Sequence, residues 1–142
     1  MALAGFFLLL RILRALLSHL LGVAAFSSSD ANAMWHDRLS AFPISALLLC
    51  VCLVPASEEI FFRGFLYAGI AKSHAGPYTA IALTAGLWAV THQEYEPAQI
   101  AELFLLGLFL GWSRKTTSSL VPPIAIHALY NFFTLLPLVL NH

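Results

Sequence analysis

Residues 42–71 read FPISALLLCVCLVPASEEIFFRGFLYAGIA, a run that would pass for a membrane span but for three charges, Glu58, Glu59 and Arg63. An ionised side chain at bilayer depth costs several kcal/mol, so such residues face a protein interior or a wet cavity. Three within six positions mark the place where polar chemistry is concentrated. At 1.5 Å per residue the run from 41 to 71 is about 46 Å long, more than one upright span needs, and Pro55 stands where a kink is expected.

The rest of the chain fits the same setting. Of its 142 residues 60% are hydrophobic and 10% charged, with a mean hydropathy of +0.83. Soluble domains carry about 45–50% apolar and about 25% charged residues. The expectation is an all-α polytopic transmembrane helical bundle of about five spans, one integral-membrane domain over 1–142. The spans are placed at 3–26, 41–71, 78–92, 98–112 and 120–140, joined by a polar loop at 27–40, turns at 72–77 and 93–97, and a basic, hydroxyl-rich loop at 113–119. Arg11, Arg14 and Ser18 share one face of the first segment. Its positive charge lies within the apolar stretch rather than ahead of it, unlike a signal peptide, so an uncleaved membrane helix is expected, with an interfacial helix as the alternative. Lys72, Arg114 and Lys115 fall on one side of the bundle, which places the N-terminus inside and the C-terminus outside. A net charge of zero leaves no footprint for nucleic acid. Cys50 and Cys52 lack the spacing of a zinc knuckle or a redox pair and read as small apolar residues.

Glu59 and Arg63 are four apart with the acid first, the favourable orientation for a pair on one helix face. Glu58 points about 100° away and is left to another neighbour. A carboxylate short of water binds a proton more readily, as a general base must. His92 ends the third segment, four residues after Trp88. His127 and Asn131 share a face of the last, where an imidazole and a carboxamide suit a water or an oxyanion. Helix heights allow Glu58, His92, His127 and Asn131 to meet in one site.

Glu58-Glu59-x-x-x-Arg63, Trp88-x-x-x-His92 and His127-x-x-x-Asn131 resemble, in order and spacing, the three motifs of the CPBP family: the Rce1-type CAAX prenyl proteases, bacteriocin-processing and Abi proteins. The stretch from Gly107 through Gly111 to Thr117, Ser118, Ser119, Leu120, Pro122 and Pro123 is similar to the family's approach to its last motif. The resemblance covers about 41–133 as a catalytic core and implies a glutamic intramembrane endopeptidase of a bacterial inner membrane. It implies that Glu58 and His92 activate a water, that His127 and Asn131 stabilise the oxyanion, and that Glu59 and Arg63 support them, with no metal or cofactor. Trp88 stands where the family more often has phenylalanine, a change expected to matter little. The prenyl-protein proteases are longer, and the compact form is more like bacterial members paired with C-terminal sorting signals, such as the JDVT-CTERM system protease. The implied partners are the lipid bilayer and a protein or peptide substrate.

Two other readings share these residues. Glu58, His92 and His127 are a possible zinc set, although no H-E-x-x-H helix is present. A non-catalytic membrane scaffold or immunity protein would keep the polar residues for packing.

Overall fold

The computed structural model describes residues 2–21 and 43–140. The loop expected at 27–40 and the end of the first span lie outside them. The described residues are all-α. Helix α1 is Ala2–Leu21, α3 is Gly76–Val90, α4 is Pro97–Thr117 and α5 is Val121–Leu140. Between α1 and α3, the segments Pro43–Leu48, Leu49–Leu53, Val54–Glu59, Ile60–Leu66 and Tyr67–Ala71 run head to tail as one rod, α2.

Helix α2 passes Pro55 without ending because its hydrogen-bond register changes there. Pro55 has no N–H to give. The N–H of Val54 reaches back five residues to Leu49 O, a π-helical step, instead of to Cys50 O. The Cys50 carbonyl takes its bond from another helix: Asn131 Nδ2 of α5 donates to it at 2.9 Å. A second π segment, Ile60–Leu66, repeats the device. The N–H of Tyr67 bonds Phe62 O rather than Arg63 O. The Arg63 carbonyl then accepts from Arg114 Nε of α4 at 3.2 Å.

Small residues let α3 and α4 approach closely. Ala80, Ile81, Thr84, Ala85, Trp88 and Ala89 form the buried stripe of α3, and Gly107 and Gly111 of α4 lie against it. A Cβ on Gly107 would stand 3.0 Å from Ala85 Cβ, and one on Gly111 3.0 Å from Ile81 Cγ2. The glycine pair therefore serves packing inside the bundle.

Helix α4 starts at Pro97, where the Glu96 N–H is capped by Gln99 Oε1 at 3.1 Å. It runs on to Thr117, through most of the segment expected to be a loop at 113–119. The hydroxyls of that segment are satisfied within the helix: Thr116 Oγ1 bonds Trp112 O at 3.0 Å and Thr117 Oγ1 bonds Ser113 O at 2.8 Å. Arg114 and Lys115 suit the negative end of the helix dipole. The chain turns at Ser118, whose φ of 54° ends the helix in the left-handed region.

Polarity is arranged inside out. Glu59, Arg63, Thr84, Glu102, Ser113 and His127 are buried. Leu8, Leu20, Ile44, Phe65, Leu87 and Val121 are exposed, Phe65 by 70%. Helix α1 follows the rule: Phe7, Leu10 and Ser18 face inward while Leu9, Ile12, Leu13 and Leu16 face out. Among the described residues one helix, Ile44–Ala71, is long and apolar enough by itself to cross a membrane.

Candidate active site

The site is built on the central turn of α2. Glu59 is fully buried, and its Oε1 accepts two hydrogen bonds, from Arg63 Nη1 at 2.9 Å and from His127 Nδ1 of α5 at 3.0 Å. Since a carboxylate only accepts, His127 carries a proton on Nδ1. Its Nε2 therefore faces the second acid, with Glu58 Oε2 4.0 Å away. Arg63 extends to α4, where Nη2 donates to Gly107 O at 3.2 Å. The absence of a side chain at Gly107 makes this reach possible, because a Cβ there would lie 3.2 Å from Nη2.

Glu58 differs from its neighbour as the helix geometry predicts. Its side chain is 24% exposed and lies outside the Glu59–Arg63 pair. Its Oε2 accepts from the indole Nε1 of Trp88. Trp88, completely buried, is the junction of the site. Its ring lies 4.9 Å from the Arg63 guanidinium carbon, 5.1 Å from the His127 ring and 5.3 Å from the His92 ring.

His92 lies just past the end of α3 and is half-buried. Its Nδ1 donates to Trp88 O at 3.0 Å, and its ring stacks on Tyr95 at 5.6 Å and 11°. This fixes the tautomer and leaves Nε2 as the acceptor. Asn131, one turn beyond His127, gives one N–H to Cys50 O. The structure thus gathers Glu58, Glu59, Arg63 and His127 in direct contact or near it. His92 joins them through the indole, and Asn131 stands at the edge, anchored to α2. Among the described residues no group of three or more His, Cys, Asp and Glu side chains is disposed to hold a metal ion.

Residues 40–133 match the family described as Type II CAAX prenyl endopeptidase Rce1-like. The chain belongs to this family. The match spans more than half of the chain and contains all three motifs. Rce1-like proteins are membrane-embedded proteases. An uncharacterized 24.3 kDa protein of Escherichia coli is 27% identical over 96 residues, which make up 66% of this chain and 44% of that protein, so the chain spans under half the length of this curated relative. No solved structure matches the chain.

Within the Rce1-like core, four contributors escape a reading of motif letters. Trp88 contributes an N–H where phenylalanine has none, a signal visible in the residue type. Gly107 contributes a carbonyl, and Cys50 does the same toward Asn131. Arg114, expected in a loop, is a helical residue that holds Arg63 O.

Arg14 of α1, outside the matched residues, pairs with Glu102 of α4 inside them, Nη1 to Oε2 at 3.1 Å, with side chains only 14% and 2% exposed. Tyr130 of α5 lies beside Glu102 as well. Glu102, near the start of its helix, faces inward.

Proposed function

We propose that the protein is an intramembrane endopeptidase that hydrolyses a peptide bond in a membrane-associated protein or peptide substrate. The observation that carries the reading is a partly exposed carboxylate, Glu58, held beside a buried Glu59–Arg63–His127 network in an Rce1-like core. A buried ion pair seldom stabilises a fold beyond what apolar residues would give. Here Glu59 Oε2 and Arg63 Nε are also buried without a hydrogen-bond partner among the described residues. Such a network is better explained by chemistry than by packing.

Glu58, the acid with access to water, takes a proton from a water molecule as its oxygen attacks the substrate carbonyl carbon. The carbonyl π electrons move to oxygen. Oxyanion stabilisation by His127 needs a proton on Nε2 as well as on Nδ1. His127 then presents Nε2–H to the developing oxyanion, while Nδ1–H stays on Glu59 as the orienting bond. Asn131 has a second amide hydrogen to add. On collapse the C–N bond breaks and the proton held by Glu58 passes to the leaving nitrogen. His92 acts from the rim, with Nε2 as a further water acceptor.

The setting is a polytopic membrane bundle. Buried charges, exposed leucines and phenylalanines, and the Ile44–Ala71 helix support it together. A multi-pass position in a bacterial inner membrane and a substrate bearing a C-terminal sorting signal complete the proposal. The test is cleavage of membrane-anchored host proteins by the purified full chain and by Glu58→Gln. The expected result is cleavage by wild type alone, unaffected by chelator. Equal cleavage by both proteins would remove Glu58 from the mechanism. Zinc-dependent loss on chelation would replace the glutamic mechanism with a metal one. A Glu58→Gln protein that retains the biological phenotype would mark a scaffold.

A further inference from the structure

Trp88 is a large, wholly buried side chain with one polar atom. Buried indoles find an acceptor for their N–H, and an indole donates only. The acceptor here is not a backbone carbonyl of its own helix but Glu58 Oε2, contributed by α2.

The ring is not free to choose another. One face meets Arg63, whose Cζ is 4.9 Å from the centroid. The rings of His127 and His92 meet it nearly edge-on, at 76° and 74°. Arg63 is in turn held by Glu59 and Gly107, and His127 by Glu59. The direction of the indole N–H is therefore set by residues on α2, α3, α4 and α5, and Glu58 is oriented by all of them through one bond.

We infer that Trp88 is a positioning residue of the reaction: its indole N–H holds Glu58 by Oε2, leaving Oε1 as the oxygen that accepts the proton of water. The inference rests on the endopeptidase reading above. Oε2 is occupied by the indole and also faces His127 Nε2 at 4.0 Å. Oε1 is the other oxygen of a side chain that is 24% exposed. Phenylalanine at this position would keep the aromatic packing and lose the donor, so the tryptophan changes the chemistry of the site.

Without the indole N–H, Oε2 loses the donor that holds it and the Glu58 carboxylate is free to rotate. The charged and titratable groups facing this region are His127 from α5, Glu59 and Arg63 from α2, and His92 beyond the indole. A change confined to the N–H leaves their charges as they are.

The experiment uses the full chain in lipid nanodiscs, with Trp88→Phe and with Trp88→3-benzothienylalanine, which keeps the bicyclic shape and places sulfur where the N–H was. Two readouts are taken: kcat and KM on a cleaved substrate, and the indole ¹⁵N–¹H resonance of Trp88 in wild type and Glu58→Gln, assigned by its loss in Trp88→Phe. Removing the N–H lowers kcat by about 10- to 100-fold, the worth of a hydrogen bond to a charged group, with KM unchanged. The resonance shifts in Glu58→Gln. The positioning role is overturned if the benzothienyl protein keeps the wild-type kcat. It is equally overturned if the resonance ignores Glu58→Gln. If wild type and Glu58→Gln cleave alike, the endopeptidase reading fails and takes the role in the reaction with it, while the resonance still decides whether the indole holds Glu58.

Discussion

Gly107→Ala tests the link between helix packing and the site with a single methyl group. The new Cβ would lie 3.0 Å from Ala85 Cβ and 3.1 Å from Ala85 Cα. Carbon atoms prefer about 3.5–4.0 Å, so α3 and α4 must separate by roughly 0.5–1 Å at this point. Overpacking of this kind costs about 1–3 kcal/mol. The same methyl would stand 3.2 Å from Arg63 Nη2. It therefore interferes with the bond from Arg63 to Gly107 O, and hydrogen bonds to charged groups are worth about 1.5–3 kcal/mol. Alanine returns about 0.5–1 kcal/mol through its better backbone entropy in a helix. The expected net destabilisation is about 2–4 kcal/mol. Reversible unfolding in mixed micelles, followed by helical signal, measures it against Gly86→Ala. There the nearest atom to an added Cβ is the far edge of Phe104 at 4.0 Å, so the same chemical change should be neutral or slightly stabilising. Equal stability of the two variants would refute the reasoning, because it would mean that the close approach at Gly107 is not tight.

Two further perturbations probe the cross-helix contacts. Arg14→Met should destabilise by about 3–5 kcal/mol by leaving Glu102 buried without its cation, whereas Arg14→Met with Glu102→Leu should recover most of that loss; a double variant no more stable than the single would contradict a buried pair. Asn131→Ala should cost about 1–3 kcal/mol in the same unfolding measurement, because the Cys50 carbonyl loses its α5 donor, and wild-type stability would show that the bond carries no weight.

Much of the site was legible because it rests on helical periodicity. Four-residue spacing pairs Glu59 with Arg63, the 100° step separates Glu58 from that pair, and a further four-residue spacing puts His127 and Asn131 on one face. The expectation went astray where a contact depends on atoms that a motif does not encode. Glu59 Oε1 serves both Arg63 and His127, which no spacing within a single helix reveals. Asn131 was expected to share a face with His127 toward a water or an oxyanion, and it also bonds a backbone carbonyl whose availability follows from Pro55 and a π step four residues beyond Cys50. The loop expected at 113–119 is mostly helix, and its threonines bond carbonyls four residues back within it. The polar face of α1 was visible, but its direction was not: an arginine in an apolar helix reads alike whether it seeks the headgroups or a buried acid, and only the position of Glu102 decides.

The register changes of α2 explain how one long helix can hold a site assembled from several. Single π turns inside α-helices recur at functional positions. Here the two π segments bracket the Val54–Glu59 turn that carries both acids. Before it, the shifted N–H of Val54 leaves Cys50 O to Asn131 of α5; after it, the shifted N–H of Tyr67 leaves Arg63 O to Arg114 of α4. A regular α-helix would direct those carbonyls to its own backbone and would contact its neighbours by side-chain packing alone. By giving up two regular bonds, α2 is tied at both ends of its acidic turn to the helices that supply His127 and Gly107. The distance between Glu58 and His127 is then fixed by directional bonds on either side of the acids, in surroundings where apolar packing against lipid offers little directional restraint.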